Sequence, residues 1–271
     1  SRAIRCIMNV VLFLAFFCCI SFVVIDANGK VGHVKNSFYA VQKNFYELQA
    51  ILDAKVPRDK QVGHTGWLTN MCSYYWNQAH LSHAKTICEV GFGVGFTSTI
   101  WLTAGDATVY SFDLFPEEGK VVASAEMGDF VNYMAAYQNA GIRFLQEKFP
   151  GRFHPIKGYS DKTIPAFAKA NSSVKCDIIL VDGSHTTEGT LVDFRNFKAL
   201  AHKDTTVFID DLEDPNVSNA VALAQKEGIL TPTMTECIRG EKYINPDFGH
   251  PGVTVKEGET GKHYCRTHYQ F

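Results

Sequence analysis

The stretch Thr86-Ile-Cys-Glu-Val-Gly-Phe-Gly-Val-Gly-Phe96 decides the fold of this chain. Its first residues are mostly apolar or β-branched, which predicts a buried strand over 86–91. Three glycines then alternate with apolar residues and lead into a predicted helix over 96–104. Glycines at such a junction let the backbone approach a ligand closely, and the first turn of the helix offers free N–H groups. The pattern is typical of the first strand–loop–helix unit of a nucleotide-binding α/β domain.

Further along the chain, short apolar runs alternate with segments of helical period. The other predicted strands cover 107–112, 153–157, 176–182 and 205–210. The other predicted helices of this part cover 121–149, 161–170, 187–201 and 214–227. Strands that alternate with helices form βαβ units and a parallel sheet. We therefore predict a doubly wound, mostly parallel, Rossmann-like α/β sheet, with antiparallel edge strands from the tail at 229–271.

Two helices are also predicted before the first strand of this sheet. Residues 37–54 carry apolar side chains near helical spacing, and residues 65–83 are rich in aromatic residues. We divide the chain into a leader at 1–29, a helical extension or lid at 30–84 and a ligand-binding domain at 85–271.

The leader contains an almost unbroken apolar run of nineteen residues, Ile7–Ile25, without a charged residue. This approaches the roughly 20 residues with which an α-helix crosses a bilayer. Arg2 and Arg5 precede the run, which favours a cytoplasmic N-terminus and a lumenal domain. The alternative is a cleaved signal peptide with Ile25-Asp-Ala27 at the cleavage site. Both interpretations predict the secretory pathway, either as a single-pass membrane protein or as a secreted protein.

The overall composition gives no sign of a nucleic-acid partner. The chain has 271 residues, of which 46% are hydrophobic and 20% are charged, and its formal net charge is -2. These values are ordinary for a globular protein. Because the chain carries no long basic run, we predict that it does not bind nucleic acid.

Five cysteines follow the leader, and an odd number leaves at least one without an intramolecular partner. We favour a disulfide between Cys237 and Cys265, because both lie in the strand-rich tail. Cys88 and Cys176 are expected to be buried strand residues. No pair of cysteines has the spacing of a zinc site.

Two acids accompany the glycine loop, which we define as residues 91–95. Glu89 precedes the first glycine by two positions, and Asp113 ends the second predicted strand 24 residues after Glu89. An acid at the end of the second strand can bind the ribose hydroxyls of a nucleoside. The alternative interpretation is that Asp113 only caps the end of its strand.

Three more acids end the fourth and fifth predicted strands. Asp182 ends the fourth strand, and Asp210 and Asp211 end the fifth. The ends of these strands are neighbours on the ligand-binding edge of a doubly wound sheet. Converging carboxylates repel each other unless a cation lies between them, and hard cations such as Mg²⁺ prefer oxygen ligands. The three acids therefore predict a magnesium site, although Asp210-Asp211 could instead form a solvated turn.

The glycine loop and its acids resemble the motifs of the class I S-adenosylmethionine-dependent methyltransferases, over roughly residues 60–225. The resemblance implies that the loop wraps the methionine part of the cofactor and that Asp113 holds the ribose. It also implies that Ser160 lies beside the adenine, although Tyr159 replaces the acid that relatives commonly carry in this turn. The implied cofactor-binding residues are Glu89, Gly91, Gly93, Gly95, Asp113, Ser160 and Asp182.

The acids of the fourth and fifth strands resemble those of metal-dependent O-methyltransferases, especially the branch that acts on sugars of natural products. The resemblance implies that Asp182, Asp210 and Asp211 bind the metal. It further implies that His185 is the general base, a role that suits imidazole because it titrates near neutral pH. The alternative is that His185 caps the helix that begins near Thr186.

Together these patterns predict a Mg²⁺-assisted O-methyltransferase. Its expected cofactor is S-adenosylmethionine, and its expected acceptor is a hydroxyl of a sugar, another glycan or a small metabolite. One alternative is a non-catalytic methyltransferase-like scaffold. Another is a nicotinamide-dependent oxidoreductase, which would need Gly-x-Gly-x-x-Gly spacing that the loop does not have.

Overall fold

The computed structural model describes residues 23–25, 31–33, 37–55, 69–115, 131–212, 214–238 and 264–271. The helices are α1 (Ser37–Asp53), α2 (Thr69–Leu81), α3 (Phe96–Ala104), α4 (Val131–Lys148), α5 (Ser160–Ala170), α6 (Thr187–Phe197) and α7 (Pro215–Lys226). The strands are β1 (Val23–Ile25), β2 (Val31–His33), β3 (Thr86–Val90), β4 (Thr108–Asp113), β5 (Phe153–Lys157), β6 (Ile178–Val181), β7 (Thr206–Ile209), β8 (Thr231–Ile238) and β9 (Tyr264–Gln270).

Seven of these strands form one sheet in the order β5-β4-β3-β6-β7-β9-β8. The five strands from β5 to β7 in this order pair in parallel, while β9 is antiparallel to both β7 and β8. The chain changes direction across the sheet at β3, because β4 lies on one side of it and β6 on the other. Such a switch point leaves a crevice at the carboxyl ends of the strands, where ligands bind in open α/β sheets. The predicted fold class and its antiparallel edge are confirmed.

The sheet separates two hydrophobic cores. Alternate residues of β6 point into opposite cores, with Ile178 and Leu180 in one and Ile179 and Val181 in the other. The first core includes buried residues of α1, α2, α3 and α4, and the second includes buried residues of α5, α6 and α7. Because β6 is covered on both faces, its sequence is continuously apolar rather than alternating.

Helix α1, the first of the two helices predicted before the sheet, forms and packs in the first core. Its side chains at helical spacing are fully buried, namely Val41, Phe45, Leu48 and Leu52. Phe45 contacts Phe96 of α3 with ring centroids 5.1 Å apart and nearly perpendicular planes. Burial of each such side chain contributes roughly 1.5–3 kcal/mol, so α1 is a stable part of the domain core.

The predicted membrane localisation is wrong. No helix among the described residues is long and apolar enough to cross a bilayer. The end of the apolar run, Val23–Ile25, is a β-strand that pairs antiparallel with Val31–His33, whereas a membrane-spanning helix was predicted there. Residues 1–22 lie outside the described part of the chain. The pairing arises because β-branched residues such as Val and Ile suit a strand as well as an apolar helix.

Cys88 of β3 and Cys176, just before β6, form a disulfide with their Cα atoms 5.9 Å apart. Both are buried as expected, but their bond was not predicted, because spacing alone does not reveal which residues of adjacent strands face each other. Cys237 and Cys265 lie opposite each other in the register of β8 and β9. Their side chains lie outside the described part of the structure, so the bridge between them stays a prediction.

Candidate cofactor and cation site

The glycine loop connects β3 to α3 at the carboxyl edge of the sheet. Gly91, Gly93 and Gly95 all have positive φ values, of 93°, 56° and 93°. At Gly91 a Cβ atom would lie 1.7 Å from the carbonyl oxygen of Asp182, so only glycine fits there. The loop therefore packs directly against the chain that follows β6, and it leaves a backbone surface that a ligand can approach closely.

Asp113 ends β4 beside this loop. One carboxylate oxygen accepts the N–H of Phe92 at 2.7 Å, and the other accepts the N–H of Leu114 at 2.6 Å. Burial raises the pKa of Asp113, and these hydrogen bonds oppose that effect. The loop thus fixes the orientation of the carboxylate, as a ribose-binding role requires.

Glu89 lies inside the sheet, with 0% of its surface exposed. Its carboxylate accepts hydrogen bonds from the hydroxyl of Ser98 on α3 and, at 2.8 Å, from the hydroxyl of Ser111 on β4. Burial raises the pKa of Glu89 to about 7. The residue therefore ties the strand before the glycine loop to the helix after it.

Ser160 is the first residue of α5, directly after the loop that follows β5. Its hydroxyl lies near the carboxyl group of Asp193 on α6, whose pKa burial raises to about 6. An aspartate is rarely buried without a charged partner, so a surface position is the expectation from its residue type, but Asp193 is 0% exposed. Its burial follows from the packing of α6, which places the Asp193 carboxylate against Gly183.

The acids of the predicted metal site meet at the ends of β6 and β7. Carboxylate oxygens of Asp182 and Asp211 and a ring nitrogen of His185 lie within 4.8 Å of one another. We call these three residues the acidic cluster. Burial raises the pKa of Asp182 well above its usual value, and the charges of Asp210 and Asp211 raise it further. Asp210 is close enough for its charge to act on Asp182, but it is not one of the three described residues whose ligand atoms meet in the acidic cluster.

His185 lies between two carboxylates. Its Nε2 atom is 3.2 Å from the carboxylate of Asp211, and its Nδ1 atom is 3.7 Å from that of Asp214. The alternative that His185 caps α6 is wrong, because the side chain of Thr186 does so by accepting the N–H of Gly189. Asp214 was missed in the sequence, although Asp before Pro215 is a typical start of a helix.

The acidic cluster fits a divalent cation. Burial is the main reason why the pKa of Asp182 is raised, and repulsion between the ionised carboxylates adds to it. A cation between the carboxylates would remove that repulsion. Carboxylate oxygens suit Mg²⁺ and Mn²⁺, and imidazole suits transition metals. Asp211 also has a left-handed backbone conformation, with a φ of 51°, which is uncommon outside glycine and clusters at functional sites.

Comparison with known proteins agrees with this geometry. Residues 88–212, which include the glycine loop and the acidic cluster, match the model of the family described as methyltransferase domain. This segment, a little under half of the chain, is thus similar to a methyltransferase domain. No match was found among curated proteins. The methyltransferase prediction is confirmed, and the interpretation as a nicotinamide-dependent oxidoreductase is wrong.

Solved structures share the fold of this methyltransferase at low sequence identity. The O-methyltransferase TomG from Streptomyces achromogenes, in complex with S-adenosylmethionine, is 15% identical with a TM-score of 0.53, and the match covers 85% of this chain and 88% of TomG. An O-methyltransferase from Bacillus cereus, in complex with S-adenosylhomocysteine, is 10% identical with a TM-score of 0.51, covering 85% and 90%. Cofactor-bound Rv0187 from MTB is 12% identical with a TM-score of 0.52, covering 73% and 83%.

Proposed function

We propose that this methyltransferase transfers the methyl group of S-adenosylmethionine to a hydroxyl oxygen of a small molecule, with the help of a divalent cation. One observation carries the proposal. The loop-bound acid Asp113 and the acidic cluster lie on the same edge of the sheet, on either side of the glycine loop. A cofactor held at one end of this edge would present its methyl group toward the other.

On the cofactor side, the backbone of the glycine loop would accommodate the methionine part, and Asp113 would accept the ribose hydroxyls. Asp113 is suited to this role because its carboxylate is already oriented by two backbone N–H groups. Glu89 would act indirectly, by holding β3 and α3 together beneath the loop. Ser160 stays a predicted neighbour of the adenine.

On the acceptor side, Asp182 and Asp211 would hold the cation. A divalent cation supplies Lewis acidity there, which lowers the pKa of an acceptor hydroxyl. His185 would take the proton of that hydroxyl, since its ring is half exposed and reaches the same point as the two carboxylates. Asp214 and Asp211 flank the ring and would stabilise it when it is protonated. Alignment of oxygen, methyl and sulfur supplies the rest of the rate increase, a positional effect of roughly 7–11 kcal/mol.

Oxygen is the proposed acceptor atom because two of the structurally similar proteins are O-methyltransferases by name. The pair Asp210-Asp211 resembles the sugar-modifying branch, and a sugar hydroxyl is therefore the first acceptor class that we propose. Catechols and other small hydroxylated metabolites are the second. Fold alone does not choose between them, so the acceptor must be found by screening.

A methyl-transfer screen would test the proposal. The full chain is incubated with S-adenosylmethionine and panels of sugars and small phenols, with Mg²⁺, with Mn²⁺ or with a chelator. We expect turnover of a hydroxyl acceptor that the chelator abolishes. Asp211→Ala should lose the cation-stimulated turnover and still bind S-adenosylhomocysteine.

Asp204→Ala is the matched control, because this acid precedes β7 at the opposite end of the strand and its side chain is 73% exposed. Its turnover should equal that of the unaltered protein. Equal turnover with and without chelator would contradict the role of the cation. Failure of the unaltered protein to bind S-adenosylhomocysteine at millimolar concentration would end the whole proposal.

A further inference from the structure

Asp193 is a buried acid that the proposed function does not use. It lies in the second turn of α6, and 0% of its surface is exposed. Neither of its carboxylate oxygens has a hydrogen-bond partner among the described residues. An unpaired carboxyl group is costly to bury, and an apolar side chain of similar shape would fill the space at lower cost. An acid at this position therefore indicates a role beyond filling the core.

The peptide group between Asp182 and Gly183 is closely packed. Gly91 lies against it, since a Cβ atom at Gly91 would lie 1.7 Å from the carbonyl oxygen of Asp182 and 3.2 Å from the nitrogen of Gly183. Beside the α carbon of Gly183, a Cβ atom would lie 2.8 Å from Cγ2 of Val90 and 3.4 Å from Oδ2 of Asp193. The Asp193 carboxyl group is thus part of the packing that limits movement of the backbone next to Asp182.

The same carboxyl group is also close to the neighbouring helix α5. The hydroxyl of Ser160, the first residue of α5, lies near it, and the charge of Asp161 acts on it. Helix α5 begins after the carboxyl end of β5, and Gly183 follows the carboxyl end of β6. Asp193 therefore lies behind the ligand-binding edge of the sheet, beside two of the segments that form this edge.

We infer that Asp193 is a positioning residue for the cation site; this inference rests on the proposed function. Its carboxyl group, packed beside Gly183 and near Ser160, supports the backbone from which the Asp182 carboxylate extends into the acidic cluster. Asp193 is not one of the three described residues whose ligand atoms meet in that cluster, so it acts through Gly183 and not on the cation itself. Groups that hold a metal ligand in place from outside commonly change metal affinity by roughly 10–100-fold.

Binding of Mn²⁺ to the full chain, measured by electron paramagnetic resonance, tests the inference. Asp193→Ala removes the carboxyl group and should weaken Mn²⁺ binding by about tenfold. Asp193→Asn keeps the size of the side chain and can still accept a hydrogen bond from Ser160, so it should bind Mn²⁺ like the unaltered protein. Asp193→Leu keeps the branched shape without the polar oxygens. It should be at least as stable as the unaltered protein and still bind Mn²⁺ about tenfold more weakly.

Asn196→Ala is the matched control. Asn196 lies one turn further along α6, away from the carboxyl edge, and its Nδ2 atom is also buried without a hydrogen-bond partner in the described part of the chain. The substitution should leave Mn²⁺ affinity unchanged. Urea unfolding without added cation reports any loss of stability in each variant separately.

Turnover gives a second measurement. At a limiting Mn²⁺ concentration Asp193→Ala should turn over more slowly than the unaltered protein. Saturating Mn²⁺ should restore its kcat, because the ligands of the cation are all still present and only the affinity is reduced. Asp193→Asn should need no more Mn²⁺ than the unaltered protein.

Three outcomes would overturn the inference. One is an unchanged Mn²⁺ affinity in Asp193→Ala and Asp193→Leu. Another is an equal loss of affinity in Asn196→Ala, which would assign the effect to general destabilisation of α6. The third is a loss in Asp193→Asn as large as in Asp193→Ala, which would assign the effect to charge. If the unaltered protein binds no Mn²⁺, the cation's part in the proposed function fails together with this inference; binding by the unaltered protein with any of the three outcomes leaves the proposed function intact.

Discussion

Asp177 and Asp182 flank the same strand, β6, and their carboxyl groups have opposite surroundings. At the amino end, Asp177 accepts the N–H groups of Lys85 and Thr86 at 2.7 and 2.9 Å and contacts the His202 ring at 3.0 Å. Burial alone would raise its pKa, but these hydrogen bonds outweigh burial and the pKa is lowered. At the carboxyl end, burial and neighbouring acids raise the pKa of Asp182.

The polar groups at the amino end of β6 therefore stabilise the fold, whereas those at its carboxyl end are arranged for chemistry. The amino end carries satisfied polar groups and a disulfide at Cys176. The carboxyl end carries like charges and the left-handed Asp211. Such unfavourable arrangements persist where a ligand relieves them. Substitutions at the carboxyl end should therefore reduce activity, and substitutions at the amino end should reduce stability.

The largest effect on activity is expected from His185, and His202 is its counterpart at the other end of β6. His185→Gln removes the proposed base at the carboxyl edge and should lower kcat by roughly 10²–10⁴-fold. His202→Gln is the matched change at the amino edge and should leave kcat within twofold. Steady-state kinetics with the acceptor found by screening would measure both. Equal losses in the two variants would mean that the ends of β6 do not differ in function.

The disulfide should give the largest effect on stability. It joins residues 88 apart in sequence, for which the chain-entropy model gives about 4–5 kcal/mol. Urea unfolding with and without a reductant should show a loss of this order. A variant with both Cys88→Ala and Cys176→Ala should be insensitive to the reductant. Unchanged stability of the unaltered protein after complete reduction would mean that the disulfide does not stabilise the fold.

Asp193 should make stability depend on pH. Its pKa is raised to about 6 in the folded protein, from about 3.8. The neutral carboxyl is therefore favoured by folding, so its contribution is fully present below about pH 4 and is lost as the pH rises through 6. Relative to Asp193→Asn, the unaltered protein should lose about 3 kcal/mol between pH 4 and pH 8. Parallel stability curves for the two proteins over this range would show that Asp193 keeps an ordinary pKa.

The smallest expected effects are changes in the free energy of unfolding, and they should have opposite signs at the two ends of β6. Asp177→Asn should destabilise the protein by about 1 kcal/mol at pH 7, a value reduced by its partial exposure. Because the pKa of Asp177 is lowered, this difference should be fully present above about pH 4 and be lost as the pH falls through the lower pKa of the folded protein. Asp182→Asn should stabilise the protein at pH 7 without added cation, because it removes a buried charge among like charges. Chemical unfolding would measure both, and the same sign for both variants would contradict the comparison.

The sequence alone predicted the fold well where the signals are local. The five parallel strands lie where the apolar runs placed them, and α3 (Phe96–Ala104) begins and ends as predicted. The glycine loop and the strand-end acids also lie at one edge of the sheet as expected. These successes share a cause, since strand order in a doubly wound sheet follows from short right-handed connections.

The failures concern features that depend on packing between distant segments. The apolar composition of Val23–Ile25 suits both a membrane helix and a strand, and pairing with residues 31–33 is a contact that composition does not encode. Burial of Asp193 depends on how α6 packs against α5. The disulfide of Cys88 depends on the register between β3 and β6, which strand prediction does not give.

The contact between Gly91 and Asp182 links the movements of the two loops to which these residues belong. The α carbon of one loop rests on the peptide group of the other, without room for even a methyl group between them. A shift of the first loop on cofactor entry would therefore press on the backbone of Asp182, whose carboxylate is a proposed ligand of the cation. If binding of the methyl donor changes the affinity for the cation by some factor, the cation changes the affinity for the methyl donor by the same factor, because binding free energies are reciprocal.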